Sequence, residues 1–310
     1  MKHLWKIGLA FFLAGIILLC SGFAVAGFHL QNLSGIKYTE KYFDSSDGFN
    51  KISFNTKNTD INLEPSTDGK IHITYFESKY EKYSITKNGG SLEFQLNDTH
   101  DFFHVYWLDF LFRPHSITIQ LPNNVVTNLN LSTTNGKIHA GNVVLKRSDN
   151  TSIQLNTING EISVSNFHSI ENISCQTTNG GITAENMLNK SLTLITSNSK
   201  ISANNCSAEN EISCKTTNGG INITNTAAGT IEIDTSNGGI RFDHANANSS
   251  FRCKTTNGSI TGTILGKMSA YNITSSTTNG SNNLPNYNFG SKELTLLTTN
   301  GNINVDFSKK

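Results

Sequence analysis

Glu232 and Asp234 are the carboxylate pair best spaced for hydrolytic chemistry in this sequence. Glycoside hydrolysis needs two carboxyl groups roughly 5–10 Å apart on one surface. Residues of opposite charge, however, occupy the equivalent positions about 20 residues before and after this pair, and opposite charges on neighbouring strands stabilise a sheet. We therefore expect cross-strand charge pairing and not a catalytic dyad. The oppositely charged residues are Lys215, Arg252 and Lys254.

Other chemical motifs are missing from the sequence. Glu161 stands alone, and Asp243 lies on the strand after Glu232 and Asp234. The nine histidines are scattered, with no two at metal-ligand spacing beside a supporting Cys or Asp. No nucleophile elbow, phosphate-binding loop or calcium-binding repeat occurs. With a formal net charge of +1 and 15% charged residues, the chain has no basic surface for nucleic acid. The sequence predicts a non-enzymatic protein with no cofactor, no metal and no nucleic-acid partner.

A threonine followed two residues later by a turn asparagine recurs with a period of about 20 residues, which predicts a solenoid of stacked coils. The first copy is Thr56 and Asn58. The later turn asparagines are Asn135, Asn159, Asn179, Asn198, Asn218, Asn237, Asn257, Asn279 and Asn300. The matching threonines are Thr133, Thr157, Thr177, Thr196, Thr216, Thr235, Thr255, Thr277 and Thr298.

The positions around each turn asparagine predict how a coil is built. Positions −6 and −4 are apolar, as in Ile231 and Ile233, and residues two apart on a strand share a face with the −2 threonine. After the corner, apolar residues return at +3 and +5. Glycine follows the asparagine in eight copies, and Asn-Gly predicts a corner with positive φ. Stacking should align the asparagine amides, and the threonine hydroxyls, into ladders.

Two details of the repeats give narrower expectations. In the coil of Asn279, Tyr271 and Ile273 are shifted by two residues from the apolar positions, which predicts a bulge or a small excursion, and residues 282–288 predict a loop. Cys175, Cys214 and Cys253 share position −4 two coils apart, about 9.6 Å and so beyond disulfide reach. They should be free thiols, as should Cys206.

The N-terminal segment, residues 1–27, predicts a transmembrane anchor. Lys2 and Lys6 precede an uncharged stretch that is long enough to span a bilayer. Positive charge on that side keeps the N-terminus in the cytoplasm. The chain is then a single-pass membrane protein whose C-terminal solenoid lies outside the cell. The alternative is a cleaved signal peptide, with residues 24–26 as the cleavage site and a secreted product.

Between anchor and repeats, residues 28–49 are a polar stalk, residues 50–128 hold a first coil and a capping insert, and residues 129–310 form the solenoid. Within the insert, residues 71–75, 92–96 and 117–121 alternate apolar and polar side chains and predict antiparallel strands. Residues 87–90 predict a hairpin turn. The insert should shield the first coil, since terminal repeats must be covered.

Residues 102–112 are the most aromatic stretch outside the anchor. One interpretation is that they fold over the cap as core. The other is an exposed patch for a partner or the membrane interface, where Trp and Tyr are favoured. The candidate patch residues are Phe102, Phe103, Tyr106, Trp107, Phe110 and Phe112.

The repeated Thr-Thr-Asn-Gly-x-Ile motif, at residues 133–138, 177–182, 216–221, 255–260 and 298–303, supports a family assignment. With the Leu-Pro end of the strand at 117–122 and the short anchor, the chain over roughly residues 50–307 resembles the bacterial putative-adhesin family of β-strand-repeat surface proteins, domain of unknown function family 4097. The resemblance implies a surface β-solenoid of Gram-positive-type envelopes and carries over no active residues.

The predicted architecture is all-β. It is a single-domain parallel β-solenoid with about 20 residues per coil, an N-terminal antiparallel β cap and an N-terminal transmembrane helix. The first functional hypothesis is a membrane-anchored cell-surface scaffold that binds an envelope polymer or protein along one face. The second is an envelope-stress sensor or regulator acting through a membrane partner. A polysaccharide-active enzyme is the third.

Overall fold

The structure, a computed structural model, describes residues 4–25, 27, 36–99, 116–146, 151–167 and 172–308. Within these residues it contains one α-helix, α1 (Leu4–Val25), a 3₁₀ turn (Met268–Ala270) and the strands named below. The first nine strands are β1 (Thr39–Ser45), β2 (Lys51–Asn55), β3 (Asp60–Pro65), β4 (Ile71–Glu77), β5 (Glu81–Asn88), β6 (Ser91–Asp98), β7 (Ser116–Leu121), β8 (Asn128–Ser132) and β9 (Ile138–Gly141). The others are β10 (Ser152–Asn156), β11 (Ile162–Ser165), β12 (Asn172–Gln176), β13 (Ile182–Ile195), β14 (Ile201–Lys215), β15 (Ile221–Thr224), β16 (Ala227–Asp234), β17 (Ile240–Lys254), β18 (Ile260–Leu265), β19 (Tyr271–Thr277), β20 (Tyr287–Asn288), β21 (Lys292–Thr298) and β22 (Ile303–Ser308).

The chain divides into two compact units. The first comprises residues 1–41, 76–83 and 97–114 and includes α1. The second comprises residues 42–75, 84–96 and 115–310 and includes the repeats. Strand β1 falls within the segment that the sequence predicts as a polar stalk.

Helix α1 is long and apolar enough to cross a membrane. Its segment Lys6–Val25 has a mean hydropathy of 2.4, and none of it is buried within the protein. Because an N-terminal signal sequence has the same length and composition, the helix is compatible with either an anchor or a signal peptide.

The repeats of the second unit form a parallel β-solenoid, which confirms the predicted fold class. Strands before the corner stack in register, so Ile153 of β10 lies beside Leu129 of β8 and Ile173 of β12. Strands after the corner do the same, with Ile162 of β11 beside Ile182 of β13. Because equivalent residues lie directly over one another, the apolar positions of successive coils form continuous inward columns.

The core of the solenoid is made by these columns. Alternating burial along each strand places branched aliphatic side chains inside and polar ones outside, the pattern expected for a half-buried strand. Aromatic side chains fill the wider places, as where Phe242 and Phe251 pack edge to face with ring centroids 4.9 Å apart. Apolar residues at −6, −4, +3 and +5 therefore stabilise most coils in the same way, with Ser275 at −4 and Asn282 at +3 of the Asn279 coil as exceptions.

The N-terminal end of the solenoid does not follow chain order. Strand β2 lies between β6 and β8, and β3 lies between β7 and β9, in each case parallel. Strands β6 and β7 thus add a further coil outside the first one, where the sequence predicts antiparallel pairing for their residues. The antiparallel partner is β4, which pairs with β7 through Ile73 and Ile119 and covers its edge. The predicted hairpin turn joins β5 to β6, with Gly89 and Gly90 at positive φ.

The C-terminal end is also stacked out of order. Strand β21 lies between β17 and β19, and β22 pairs with β18, so the last coil in the chain is an inner coil. The coil of Asn279 is outermost, and β20 pairs antiparallel with its strand β19. The predicted two-residue shift in that coil is wrong. Ile273 lies beside Leu294 and Ser275 beside Leu296 in unbroken register, so Ser275 takes the −4 position.

Candidate binding surface

The turn asparagines form one exposed ladder along the corner of the solenoid. On each coil the Nδ2 amide donates to the Oδ1 of the neighbouring asparagine, at 2.5 Å from Asn159 to Asn135 and 2.8 Å from Asn257 to Asn237. An amide has a second N–H and a second lone pair, so each rung keeps one donor and one acceptor for other partners. In space the order is Asn58, Asn135, Asn159, Asn179, Asn198, Asn218, Asn237, Asn257, Asn300 and Asn279.

At eight of the ten corners a glycine follows the asparagine, at a place where the coils stack closely. The sequence predicts positive φ at this corner, and that prediction is wrong, since neither the turn asparagines nor the following glycines adopt it. A Cβ on Gly160 would lie 1.8 Å from the carbonyl oxygen of Gly136, and one on Gly180 would lie 1.7 Å from that of Gly160. A Cβ at either position would force the adjacent backbone to shift, whereas Thr59 and Ser199 take this position on the two coils without glycine.

The threonines at −2 bond the backbone and not one another. Thr196, 2% exposed, donates from Oγ1 to the carbonyl of Gly180 at 2.8 Å. The hydroxyl also accepts, as where the amide of Gly160 donates to Thr157 at 3.2 Å. The predicted hydroxyl-to-hydroxyl ladder is therefore wrong, because the corner carbonyl of the preceding coil is the nearer acceptor. The column comprises Thr56, Thr133, Thr157, Thr177, Thr196, Thr216, Thr235, Thr255 and Thr298, all buried, with Thr277 half-buried.

A second asparagine ladder, missed by the sequence analysis, runs along the next corner. Its members lie seven residues after the turn asparagines, and all have φ between 50° and 60°. Their Nδ2-to-Oδ1 bonds measure 3.0–3.2 Å. His244, with φ 52°, takes this position on the next coil and ends the ladder. The sequence does contain a signal for this ladder, because asparagine recurs seven residues after a turn asparagine. The recurring residues are Asn142, Asn166, Asn186, Asn205 and Asn225.

The candidate catalytic carboxylates lie in a strip of paired charges. Lys215 Nζ lies 2.6 Å from Glu232 Oε2, and their hydrogen bond raises the pKa of Lys215. In register, Glu232 lies beside Arg252 and Asp234 beside Lys254. Burial, and secondly the charge of Glu232, raises the pKa of Asp234. Because Glu232 is engaged by Lys215, the arrangement is the cross-coil pairing that the spacing predicts.

A histidine clamp joins three segments near the N-terminal end of the solenoid. His72 Nδ1 lies 2.6 Å from Asp44 Oδ1, and His72 Nε2 lies 2.9 Å from Asp68 Oδ1. The hydrogen bonds to Asp68 and then Asp44 raise the pKa of His72, and the bond from His72 holds the pKa of Asp68 well below its usual range. Both ring nitrogens donate when the imidazole is protonated, so the clamp is strongest as an imidazolium between two carboxylates.

The remaining predictions concern the aromatic stretch, metal binding and the cysteines. The aromatic patch residues at 102–112 lie outside the described residues. Within the described ranges, no group of three or more His, Cys, Asp and Glu side chains could hold a metal ion. Burial raises the pKa of Cys175 and Cys214 to about 12, so these thiols stay protonated and unreactive.

The model of the Toastrack DUF4097 family matches residues 49–308 of this chain. No curated protein matches this chain.

Three solved structures are similar to the chain over most of its length. They are a "putative adhesin" of Bacteroides fragilis (14% identity, 87% of this chain and 97% of that chain covered, TM-score 0.45), a "putative cell adhesion protein" of Clostridium sporogenes (12%, 88% and 100%, 0.25) and a "putative adhesin" of Parabacteroides distasonis (11%, 88% and 97%, 0.28). At these TM-scores the similarities carry no inference about function.

Proposed function

The chain belongs to the Toastrack DUF4097 family, and from this premise we propose that it is a non-enzymatic, membrane-anchored cell-surface scaffold that binds an envelope polymer or protein along a side of its solenoid. The observation that carries the proposal is the exposed corner, where a hydrogen-bonded asparagine ladder continues over ten coils. Such a surface is long, regular and rigid, and suits a ligand that is itself long.

The capped ends favour binding along the side over end-to-end assembly. At one end the edge of β7 is covered by β4, and at the other the edge of β19 is covered by β20. Asn283 also caps β22, since its Nδ2 donates to the carbonyl of Val305 and its Oδ1 accepts from the amide of Val305. Sheet edges covered in this way do not recruit further strands.

Cell-wall sedimentation tests the binding function. The full chain, solubilised in detergent, is mixed with protein-stripped cell walls from the bacterium that produces it, and the bound fraction is measured after centrifugation. We expect saturable sedimentation with the walls. A chain that stays in the supernatant at every wall concentration would contradict a wall-binding scaffold.

Membrane extraction tests the anchor. If α1 is retained, the protein stays with the membrane fraction after washes in high salt and in carbonate, and its N-terminus lies at or near Met1. A mature N-terminus at Gly27 would instead make the protein secreted and α1 a signal peptide.

A further inference from the structure

Nine asparagines of the chain are followed directly by glycine. In such a pair the backbone nitrogen of the glycine can attack the side-chain amide carbon of the asparagine, because glycine has no side chain to obstruct the approach. This reaction is deamidation, and it is one reason why asparagine is chemically labile. One pair, Asn88 with Gly89, lies at the hairpin turn between β5 and β6. The other eight pairs begin with turn asparagines of the exposed ladder, namely Asn135, Asn159, Asn179, Asn218, Asn237, Asn257, Asn279 and Asn300.

The ladder restrains its asparagines against this reaction. Each of the eight donates from Nδ2 to the Oδ1 of a neighbouring asparagine. Closure of a ring between Cγ and the following backbone nitrogen requires the side chain to rotate out of the ladder, which breaks that bond. At four corners the attacking N–H is also engaged, since the glycine donates to Oγ1 of the −2 threonine at 3.2–3.3 Å. These four glycines are Gly136, Gly160, Gly180 and Gly219.

Asn88 and Gly89 have neither restraint. Among the described residues, none forms a hydrogen bond with the side chain of Asn88 or accepts one from the N–H of Gly89. Both residues are exposed, so solvent reaches the amide carbon and the nitrogen that attacks it. Exposure alone does not distinguish this site, because the eight ladder asparagines are exposed as well. The difference lies in the hydrogen bonds that hold the ladder side chains and that Asn88 lacks.

We propose that Asn88 is a site of spontaneous deamidation in the folded protein, and that the ladder protects its own Asn-Gly pairs from the same reaction. The nitrogen of Gly89 bonds to Cγ of Asn88 and passes its proton through solvent to Nδ2, the Cγ–Nδ2 bond breaks, and ammonia leaves a cyclic imide. Water then opens the imide at either of its carbonyls and gives aspartate or isoaspartate. Water is the co-reactant, and nothing is oxidised or reduced.

The modification changes both charge and backbone at the hairpin. Asn88 lines an open pocket together with Lys51 and Glu93, so the new carboxylate adds negative charge there. Isoaspartate also lengthens the main chain beside Gly90, whose carbonyl accepts hydrogen bonds from the amides of Asn50 and Lys51 at 2.7 and 3.3 Å. These two bonds join the turn to the start of β2, so the reaction alters the point at which the hairpin meets the solenoid.

Peptide mapping over time tests the proposal. The full chain in detergent is incubated in mildly alkaline buffer, both folded and in denaturant, and peptide masses follow the loss of the amide at each Asn-Gly pair. Asn88→Gln keeps an amide but needs a larger ring to react. Asn198→Ala removes a ladder rung that no glycine follows, so Asn218 loses the acceptor that it bonds at 2.7 Å, whereas Asn135 keeps its partners and is the matched control. Unfolding temperatures confirm that both variants are folded.

In the folded wild type, Asn88 should lose its amide at least about tenfold faster than any ladder asparagine, whereas all the pairs should react at similar rates in denaturant. Asn88→Gln should abolish the fast reaction, and Asn198→Ala should speed the reaction of Asn218 several-fold but not that of Asn135. A ladder asparagine that reacts as fast as Asn88 in the folded wild type would overturn the proposal. An unchanged rate at Asn218 in folded Asn198→Ala would overturn the protection by the ladder.

Discussion

At the residue scale, buried and exposed threonines near the same corner have different roles. Thr196 lies under the corner and bonds the carbonyl of Gly180, whereas Thr178 is exposed on the −1 column. Thr196→Ala should lower the free energy of unfolding by about 1–2 kcal/mol, because it removes a buried hydroxyl and leaves the carbonyl of Gly180 without that donor. Thr178→Ala should change it by less than about 0.5 kcal/mol. Urea unfolding of both variants checks this, and equal losses would contradict the assignment of the two faces.

The histidine clamp predicts pH-dependent stability. The pKa of folded His72 lies above the ordinary value of 6.5. A raised pKa means that the stabilisation is fully present below that ordinary value and is lost as pH rises through the raised pKa. The lowered pKa of Asp68 adds stability above its ordinary value of 3.8, lost only as pH falls through the lowered pKa. The clamp is therefore fully effective between these two ordinary values.

Unfolding temperatures measured from about pH 5 to about pH 9 test the clamp. His72→Gln keeps a hydrogen-bonding side chain but cannot be charged, so its stability should fall less with rising pH than that of the wild type. His139→Gln, which removes a histidine outside the clamp, is the matched control and should follow the wild type. Parallel curves for wild type and His72→Gln would rule out the clamp.

At the scale of the element, the corner of Gly180 and Gly181 has room for a methyl group at only one of its two adjacent glycines. A Cβ on Gly180 would lie 1.7 Å from the Gly160 carbonyl oxygen, whereas a Cβ on Gly181 would approach no closer than 3.5 Å to Lys200. Gly180→Ala should destabilise by about 3 kcal/mol or more, since the adjacent backbone must shift. Gly181→Ala should change stability by less than about 1 kcal/mol. Thermal unfolding of the two variants tests this prediction. Similar unfolding temperatures would mean that the coils stack less closely at Gly180 than the 1.7 Å distance indicates.

The second prediction at this scale concerns the column of cysteines at position −4, Cys175, Cys214 and Cys253. Leu194 lies between Cys175 and Cys214, and Ile233 lies between Cys214 and Cys253. These three thiols and Cys206 are free and buried. In a Cys20→Ser background, which removes the exposed thiol of α1, we expect four thiols that react only after denaturation. Two fewer thiols with a mass matching a bridge would contradict the coil register.

At the scale of the whole solenoid, stacking out of order makes the final residues structurally internal. Deletion of residues 291–310 removes β21 and β22 and leaves β19 without its parallel partner. Deletion of residues 267–290 removes only the outermost coil. It leaves Ile260 and Leu294 at the same sequence separation as Ile221 and Ile231, and the stacking of β21 on β17 is kept. Deletion of residues 291–310, although it removes fewer residues, should therefore lower the stability of the solenoid more than deletion of residues 267–290.

Hydrogen exchange and thermal unfolding of the two deletions test this order. We expect residues 271–277 to lose amide protection when 291–310 are deleted, and β17 to remain protected when 267–290 are deleted. Retained protection of 271–277 in the first deletion would mean that β19 stacks directly on β17, as chain order alone suggests.

The repeat itself was readable from the sequence because its causes are local. Alternating apolar residues, a threonine and an asparagine at fixed offsets define a coil, and identical coils stack in register. Cross-coil pairs such as Glu232 with Arg252 follow from that register alone. The asparagine at +7 was equally local, but its role depends on the positive φ of the second corner, which the pattern does not reveal.

Only the tertiary structure decided which coils are neighbours, why most corners carry glycine and where the clamp forms. Every coil presents the same columns, so the pattern is satisfied by any stacking order. The connecting segments and capping strands select the order in which β21 lies between β17 and β19. The corner glycines and the His72 clamp depend on distances between residues far apart in the chain. The sequence therefore determined the coil, and three-dimensional packing determined the order of the coils.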